Sequence, residues 1–171
     1  MYRDGDEFGR LRAPDLEVVA TARRTNDGQL GTVIKTLESQ LGGLDDAPIL
    51  VLGLTYRENV KELAYSRALP LIDRLSFHGA EVWAYDPLLS NEEIEHNCAT
   101  PYTWGQPASF RAIVTQTGDR LWQSLDFALF PKLEVLFDGR NSLREVELPE
   151  KVRYFGIGVQ AATRRRAATT S

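Results

Sequence analysis

Two arginines follow predicted buried strands, where they could bind an anionic group. Arg57 lies in the turn 53-GLTYRENVKE-62, after the apolar run ILVL, and Arg140 lies in 138-DGRN-141, after another apolar run. A guanidinium group presents a planar set of donors that suits phosphate oxygens. Ligands of a parallel α/β sheet bind at the carboxyl ends of its strands. We therefore expect both arginines to contact one nucleotide diphosphate at that edge.

Three other polar residues stand close to these turns and are further candidates for ligand binding. They are Ser66, Asp86 and Asp138. An aspartate before proline or glycine is also typical of a turn, and a serine before an apolar helical pattern is typical of a cap. An arginine after a strand is often an ordinary surface charge. From the residues alone, both interpretations stay open.

The turn at Gly53 lacks the glycine pattern of a common dinucleotide-binding loop. In the pattern G-x-G-x-x-G the bare backbone approaches a pyrophosphate. Here the second and third glycines are missing, and Arg57, Glu58 and Lys61 stand where a bare backbone would normally approach the pyrophosphate. The sequence therefore predicts a turn that holds a diphosphate mainly by side-chain charge.

The single cysteine and the two histidines indicate neither a catalytic group nor a metal site. Cys98 excludes an intramolecular disulfide and lies in the polar stretch 95-EHNCAT-100. His78 and His96 have no metal-ligand spacing, and His78, before Gly79, suits a helix C-terminus. We predict no catalytic residue and no metal ligand in this chain.

Composition narrows the class of protein. The 171 residues are 43% hydrophobic and 26% charged, which is ordinary for a globular protein, and the net charge of −4 argues against a general nucleic-acid binder. No apolar run approaches the roughly 18 residues of a membrane span, and the N-terminus is too polar for a signal peptide. We expect a cytoplasmic protein with neither nucleic acid nor membrane as a partner.

Short apolar runs alternate with helical patterns from Ala47 onward. This alternation predicts an α/β fold with a Rossmann-like, doubly wound, mainly parallel sheet. The predicted strands are 49–54, 81–87, 112–117, 135–140 and 154–159, and the predicted helices are 66–78, 91–97 and 120–131.

The chain divides into three predicted parts. Residues 1–44 comprise a mobile N-terminus and a long helical segment that starts near Asp15 and ends at Gly42-Gly43. Its apolar stripe is Val33, Ile34, Leu37 and Leu41. Residues 45–161 form the Rossmann-like domain, and residues 162–171 are predicted to be disordered.

Several motifs together resemble one known family. They are 22-ARRTND-27, 51-VLGLTYRENVKELAYSRAL-69, 79-GAEVWAYDP-87 and 136-LFDGRN-141. In order and spacing they are similar to the C-terminal half of the UDP-glucose/GDP-mannose dehydrogenase family, whose members oxidise the C6 alcohol of a nucleotide-sugar to a carboxylate with two NAD⁺. The resemblance implies that this chain is the end of the central helix followed by the C-terminal nucleotide-sugar-binding domain.

The resemblance also implies roles for particular residues. In the family, a lysine after the aromatic residue of the G-L-x-[YF]-K turn contacts the substrate nucleotide, and Tyr56 and Arg57 occupy those two places. The arginine of the family's D-G-R segment matches Arg140. The implied ligand is a UDP-sugar or a GDP-sugar, and the implied assembly is a homodimer through residues 15–41. NAD would be bound mainly by a domain that is absent here.

The chain departs from the family pattern before the second helix. Where the family commonly has D-D-x-R-E-S-P, this chain has 61-KELAYSR-67, and only Ser66 is retained. The NAD-binding glycine loop and the family's catalytic-cysteine motif are also missing from this sequence, so we expect the chain alone to be inactive. Two alternatives stay open: a non-catalytic nucleotide-binding or assembly module, and a freestanding NAD-binding enzyme, which the missing glycine pattern disfavours.

Overall fold

A computed structural model describes residues 28–157 as an α/β domain with a six-stranded sheet. Every pair of neighbouring strands is parallel, and the strand order is β3-β2-β1-β4-β5-β6. The predicted doubly wound sheet is confirmed, and its order reverses between β1 and β4. The strands are β1 Pro48–Leu52, β2 Glu81–Tyr85, β3 Thr100–Pro101, β4 Ala112–Thr115, β5 Val135–Asp138 and β6 Arg153–Gly156.

Strand β1 is buried on both faces, which explains its continuous apolar sequence. Successive side chains of a strand point to opposite faces of the sheet. Ile49 and Val51 accordingly pack into one hydrophobic cluster, and Leu50 and Leu52 pack into the other. A strand in the middle of a parallel sheet needs apolar side chains in both directions.

Three helices pack against the face that carries Ile49 and Val51. They are α1, residues 28–41, α2, Ala68–Phe77, and α3, Asn91–His96. The predicted apolar stripe of α1 is buried in the same cluster as Leu71, Ile72 and Leu75 of α2. In the part of the chain that the structure describes, no helix is long and apolar enough to cross a membrane.

Helix α1 ends as predicted, at Gly42-Gly43. The backbone N–H groups of both glycines donate to the carbonyl of Glu38, at 2.9 and 3.0 Å. Both glycines have positive φ, a conformation that side-chain-bearing residues adopt at a cost. The predicted start near Asp15 and the predicted disordered tail lie outside the described residues.

The predicted helix over 120–131 is wrong. Two short 3₁₀ segments, Arg120–Ser124 and Phe127–Leu129, occupy this stretch. The carboxylates of Asp119 and Asp126 each accept a hydrogen bond from the backbone N–H two residues further on, at 2.8 and 3.0 Å. These local bonds start a new turn twice and so divide the segment.

Aromatic side chains rather than long helices cover the second face of the sheet. The rings of Tyr85, Trp104 and Trp122 lie with centroids 5.1 to 6.2 Å apart. Tyr102, Phe110 and Phe130 continue the cluster. Large aromatic rings bury much apolar surface with little backbone, so irregular segments suffice to close this side.

Candidate functional site

The turn after β1 is held by a buried carboxylate from the neighbouring strand. Oδ2 of Asp86 accepts hydrogen bonds from the backbone N–H of Leu54 at 2.8 Å and of Thr55 at 3.0 Å. The Thr55 hydroxyl donates to the same oxygen, and the Leu88 N–H donates to Oδ1. Asp86 is only 2% exposed. Its carboxylate therefore binds the N–H groups that would face a phosphate in a glycine-rich loop, and in this structure it supports the turn.

Gly53 allows two loops of the protein to approach each other. Its φ is +83°, and a Cβ at this position would lie 2.1 Å from Oγ1 of Thr117 in the loop after β4. Thr117 in turn accepts hydrogen bonds from Nε1 of Trp122 through its carbonyl and its hydroxyl, both at 3.2 Å. The glycine at the predicted phosphate turn thus serves contact between loops after β1 and β4.

Asp138 fixes the turn that carries Arg140. Its Oδ1 accepts from the Thr115 hydroxyl at 2.9 Å and from the Arg140 backbone N–H at 3.1 Å. Its Oδ2 accepts from the Leu143 N–H at 2.7 Å and from the Tyr154 hydroxyl at 2.9 Å. The carboxylate is fully buried, so Asp138 positions the turn that carries Arg140.

Ser66 likewise has a structural position. Its hydroxyl donates to the carbonyl of Leu54 at 2.5 Å and accepts from the N–H of Ala68 at 3.1 Å. The N-cap residue of α2 is Arg67, whose side chain makes no capping bond. Ser66 therefore bonds to the first helical residue from one position before the cap, and it ties the start of α2 to the turn after β1.

Tyr56 and Arg57 lie on the surface of the loop between β1 and α2. The loop is tight: the Tyr56 N–H donates to the Glu62 carbonyl at 2.7 Å, and Asn59 has a φ of 61°. Tyr56 is half exposed and Arg57 is exposed. The Arg57 side chain makes no hydrogen bond or ion pair with another residue of the 28–157 range. Both side chains are free to meet a ligand, and their binding role stays a prediction.

Arg140 shares a cleft with Arg67, a residue that the sequence did not single out for binding. The cleft lies between α1, the start of α2 and the loops after β4 and β5, and Arg57 does not line it. Nε of Arg140 donates to the Gln116 carbonyl at 3.1 Å, and the Arg67 guanidinium donates to Oε1 of Gln29. Burial and, secondly, the charge of Arg140 lower the pKa of Arg67 below its usual range. Two like charges thus meet at this edge.

The loops after β1 and β4 also touch beside Arg140. A carboxylate oxygen of Glu58 accepts from the Gly118 N–H at 3.3 Å. A Cβ built on Gly118 would lie 3.7 Å from that carboxylate and 3.9 Å from Cβ of Arg140. The turn 53–62 thus reaches the loop after β4 through the Glu58 side chain, and the turn 138–141 lies on the other side of Gly118.

The cysteine and the histidines lie outside the cleft of Arg67 and Arg140. Among residues 28–157, no cluster of three or more His, Cys, Asp or Glu residues could hold a metal ion. Cys98 is exposed. His78 is the C-cap residue of α2, as predicted, and its Nδ1 lies 2.8 Å from a carboxylate oxygen of Glu38.

The strand order defines the class of this protein as a Rossmann-like domain, whose order reverses between β1 and β4. The UDP-glucose/GDP-mannose dehydrogenase family, UDP binding domain, matches residues 50–145, more than half of the chain. The chain belongs to this family, and the resemblance seen in its motifs is confirmed.

Individual relatives agree with this assignment. The chain is 29% identical over 157 residues to UDP-glucose 6-dehydrogenase of Rhizobium meliloti, covering 84% of this chain and 35% of that protein. It is 27% identical over 84 residues to UDP-N-acetyl-D-glucosamine 6-dehydrogenase of Pseudomonas aeruginosa, covering 47% and 20%.

A solved structure shows the same fold. It is a UDP-glucose dehydrogenase from Pyrobaculum islandicum, with a TM-score of 0.66 at 22% identity, covering 84% of this chain and 32% of that one. The chain thus spans about a third or less of the length of these relatives.

Proposed function

We propose that this chain is the substrate-binding portion of an NAD-dependent nucleotide-sugar 6-dehydrogenase. It would bind the nucleotide diphosphate of a UDP-sugar, or of GDP-mannose, whose C6 alcohol the whole enzyme oxidises to a uronic acid. The observation that carries the proposal is the exposed cationic edge, within the family's UDP-binding domain, at the reversal of strand order. NAD binding and the catalytic groups would lie in other parts of the enzyme.

Hydrogen bonds hold the two turns that carry Arg140 and Arg57, and this rigidity favours a phosphate ligand. Asp138 holds the Arg140 turn through four hydrogen bonds, so this guanidinium is presented from a fixed backbone. Asp86 and Ser66 fix the base of the loop that carries Arg57. Preorganised donors bind an anion with less loss of conformational freedom than mobile ones.

The proposal concerns the nucleotide diphosphate rather than a particular sugar. The two relatives are named for different sugars, glucose and N-acetylglucosamine. Binding a nucleotide diphosphate is the requirement that the substrates in those names share.

One observation favours the alternative, a non-catalytic module that retains the fold. Lys61, in the altered segment 61–67, forms an ion pair with Glu93 of α3 at 2.7 Å. A loop residue at this edge is thus engaged with the protein itself. The NAD-dependent reaction of the longer enzyme, reconstituted with this chain as its C-terminal part, would discriminate, because the alternative predicts no turnover.

The structure limits which face of α1 could form the proposed homodimer through residues 15–41. The apolar stripe of α1 packs on this chain's own sheet, and the exposed positions 28, 32, 35 and 39 are Gly, Thr, Lys and Ser. A dimer through α1 would therefore use a polar face or residues outside the described range. Sedimentation of the 171-residue chain tests it: a strict monomer at high concentration would contradict the dimer.

We expect the 171-residue chain to bind UDP and to bind uridine far more weakly, because the arginines recognise the diphosphate. Calorimetry at millimolar ligand is the measurement.

Arg140→Gln should weaken UDP binding about tenfold, since a charge-assisted contact is lost. Arg57→Gln should weaken it about threefold, because an exposed charge is screened by water. Equal binding of uridine and UDP, or no heat with UDP, would contradict the proposed function.

A further inference from the structure

We propose that Arg67 and Arg140 together bind the diphosphate, in the cleft between the start of α2 and the loops after β4 and β5. The inference rests on the proposed function, since it names the groups that hold its ligand. It adds Arg67 as a partner of Arg140 inside this cleft, which Arg57 does not line. Arg67 stands where the family commonly has proline, so the family pattern did not point to it.

The position of the cleft is the first argument. Arg67 precedes the helix that follows β1, Gln116 follows β4, and Arg140 follows β5. The strand order reverses between β1 and β4. In open parallel sheets the crevice at such a reversal is where ligands bind. Arg67 is the N-cap residue of α2, so the N-terminus of this ten-residue helix lies beside the cleft.

The second argument is that, among residues 28–157, neither of these two arginines forms an ion pair, although the Glu58 carboxylate binds the neighbouring Gly118 N–H. At the opposite edge of the sheet, Arg111 and Arg153 both lie close to the carboxylate of Glu134, at 2.7 and 3.7 Å. Within the described range, Arg67 and Arg140 instead donate to uncharged oxygens of Gln29 and Gln116, and neither has a carboxylate within ion-pair distance.

The charges of the two guanidinium groups indicate which kind of ligand would suit this cleft. Arg67 is partly buried, and burial first and the positive charge of Arg140 second lower its pKa. A single anion with several oxygens would offset both charges at once and would accept from both planar donor sets. A diphosphate has that charge and that number of acceptors. The neutral contacts to Gln29 and Gln116 hold the side chains in place for it.

The test uses the 171-residue chain with Arg67→Gln and, as a matched control, Arg74→Gln, which removes an exposed charge from the same helix. Binding of UDP, inorganic pyrophosphate and uridine is measured by calorimetry at low salt. We expect Arg67→Gln to weaken the binding of UDP and the binding of pyrophosphate to the same extent, by about tenfold or more. The control should leave both affinities unchanged.

Thermal unfolding separates a binding role from a structural one. Without ligand, Arg67→Gln should melt at or above the wild-type temperature, because a repulsive charge has been removed. Pyrophosphate should raise the melting temperature of the wild type more than that of the variant. If Arg67→Gln does not fold, Arg67→Lys is used to test the binding role. It keeps the charge but loses the planar donor set, and we expect it to bind pyrophosphate about threefold more weakly.

The outcomes distinguish this inference from the proposed function. Tight UDP binding that Arg67→Gln leaves unchanged would overturn the inference and leave the proposed function standing. Pyrophosphate binding that depends on Arg67, without any binding of UDP, would support the anion site and contradict the proposed function. Binding of neither ligand would overturn both.

Discussion

Replacement of Asp86 by alanine is expected to lower the free energy of unfolding by about 3–5 kcal/mol. The variant leaves the buried N–H groups of Leu54 and Thr55 without their acceptor, and each unsatisfied buried donor costs about 1–3 kcal/mol. For a chain of this length, the melting temperature should fall by roughly 10 °C. Urea denaturation and thermal unfolding measure the change.

Asp86→Asn tests the same hydrogen bonds without removing side-chain volume. Both carboxylate oxygens of Asp86 accept from backbone N–H groups, so Asp86→Asn must turn its amide N–H₂ toward a donor. We expect a loss of about 2–3 kcal/mol. Asp73→Asn, an exposed change in α2, should stay within about 0.5 kcal/mol. Wild-type stability of Asp86→Asn would show that this carboxylate does not hold the turn.

Gly53→Ala is expected to cost about 3 kcal/mol of folding free energy. The substitution combines two effects: a side chain at φ +83°, which costs about 1–2 kcal/mol, and overlap with Thr117, which costs about 1–3 kcal/mol. Gly105→Ala separates them, because Gly105 has φ +80° but no atom within 4 Å of a new Cβ. It should cost only about 1 kcal/mol.

A double variant tests the overlap directly. Thr117→Ala removes the closest atom, Oγ1, while Cβ stays at 2.9 Å, so it should relieve part of the cost of Gly53→Ala. The combined loss should then be smaller than the sum of the two single losses, which indicates direct contact. Strict additivity, or equal losses for Gly53→Ala and Gly105→Ala, would contradict the close approach of these loops.

The sequence predicted the fold because its signals are local and periodic. The strand at 49–52 is a continuous apolar run, and the stripe of α1 repeats at helical spacing. The stretch 120–131 was mispredicted because apolar residues at helical spacing also suit two 3₁₀ turns, and the interrupting bonds of Asp119 and Asp126 leave the period unchanged. Strand β3 has two residues, too few to show any pattern.

The candidate site was only partly predictable. The sequence places Arg140 after a strand, and its exposure on a fixed turn follows from that position. Ser66, Asp86 and Asp138 were proposed as ligand contacts, but whether a polar group faces a ligand or the interior depends on loops distant in sequence. Arg67 was overlooked because its proximity to Arg140 arises from packing across 73 positions of the chain, which no local pattern records.

The most direct test of the central claim is a UDP titration followed by NMR of the arginine Nε–H groups. If a nucleotide diphosphate binds at the reversal of strand order, the signals of Arg67 and Arg140 should shift together and saturate. Those of Arg111 and Arg153, paired with Glu134 at the opposite edge, should stay in place. Unchanged signals of Arg67 and Arg140 at millimolar UDP, or shifts confined to Arg111 and Arg153, would contradict a nucleotide site at this edge.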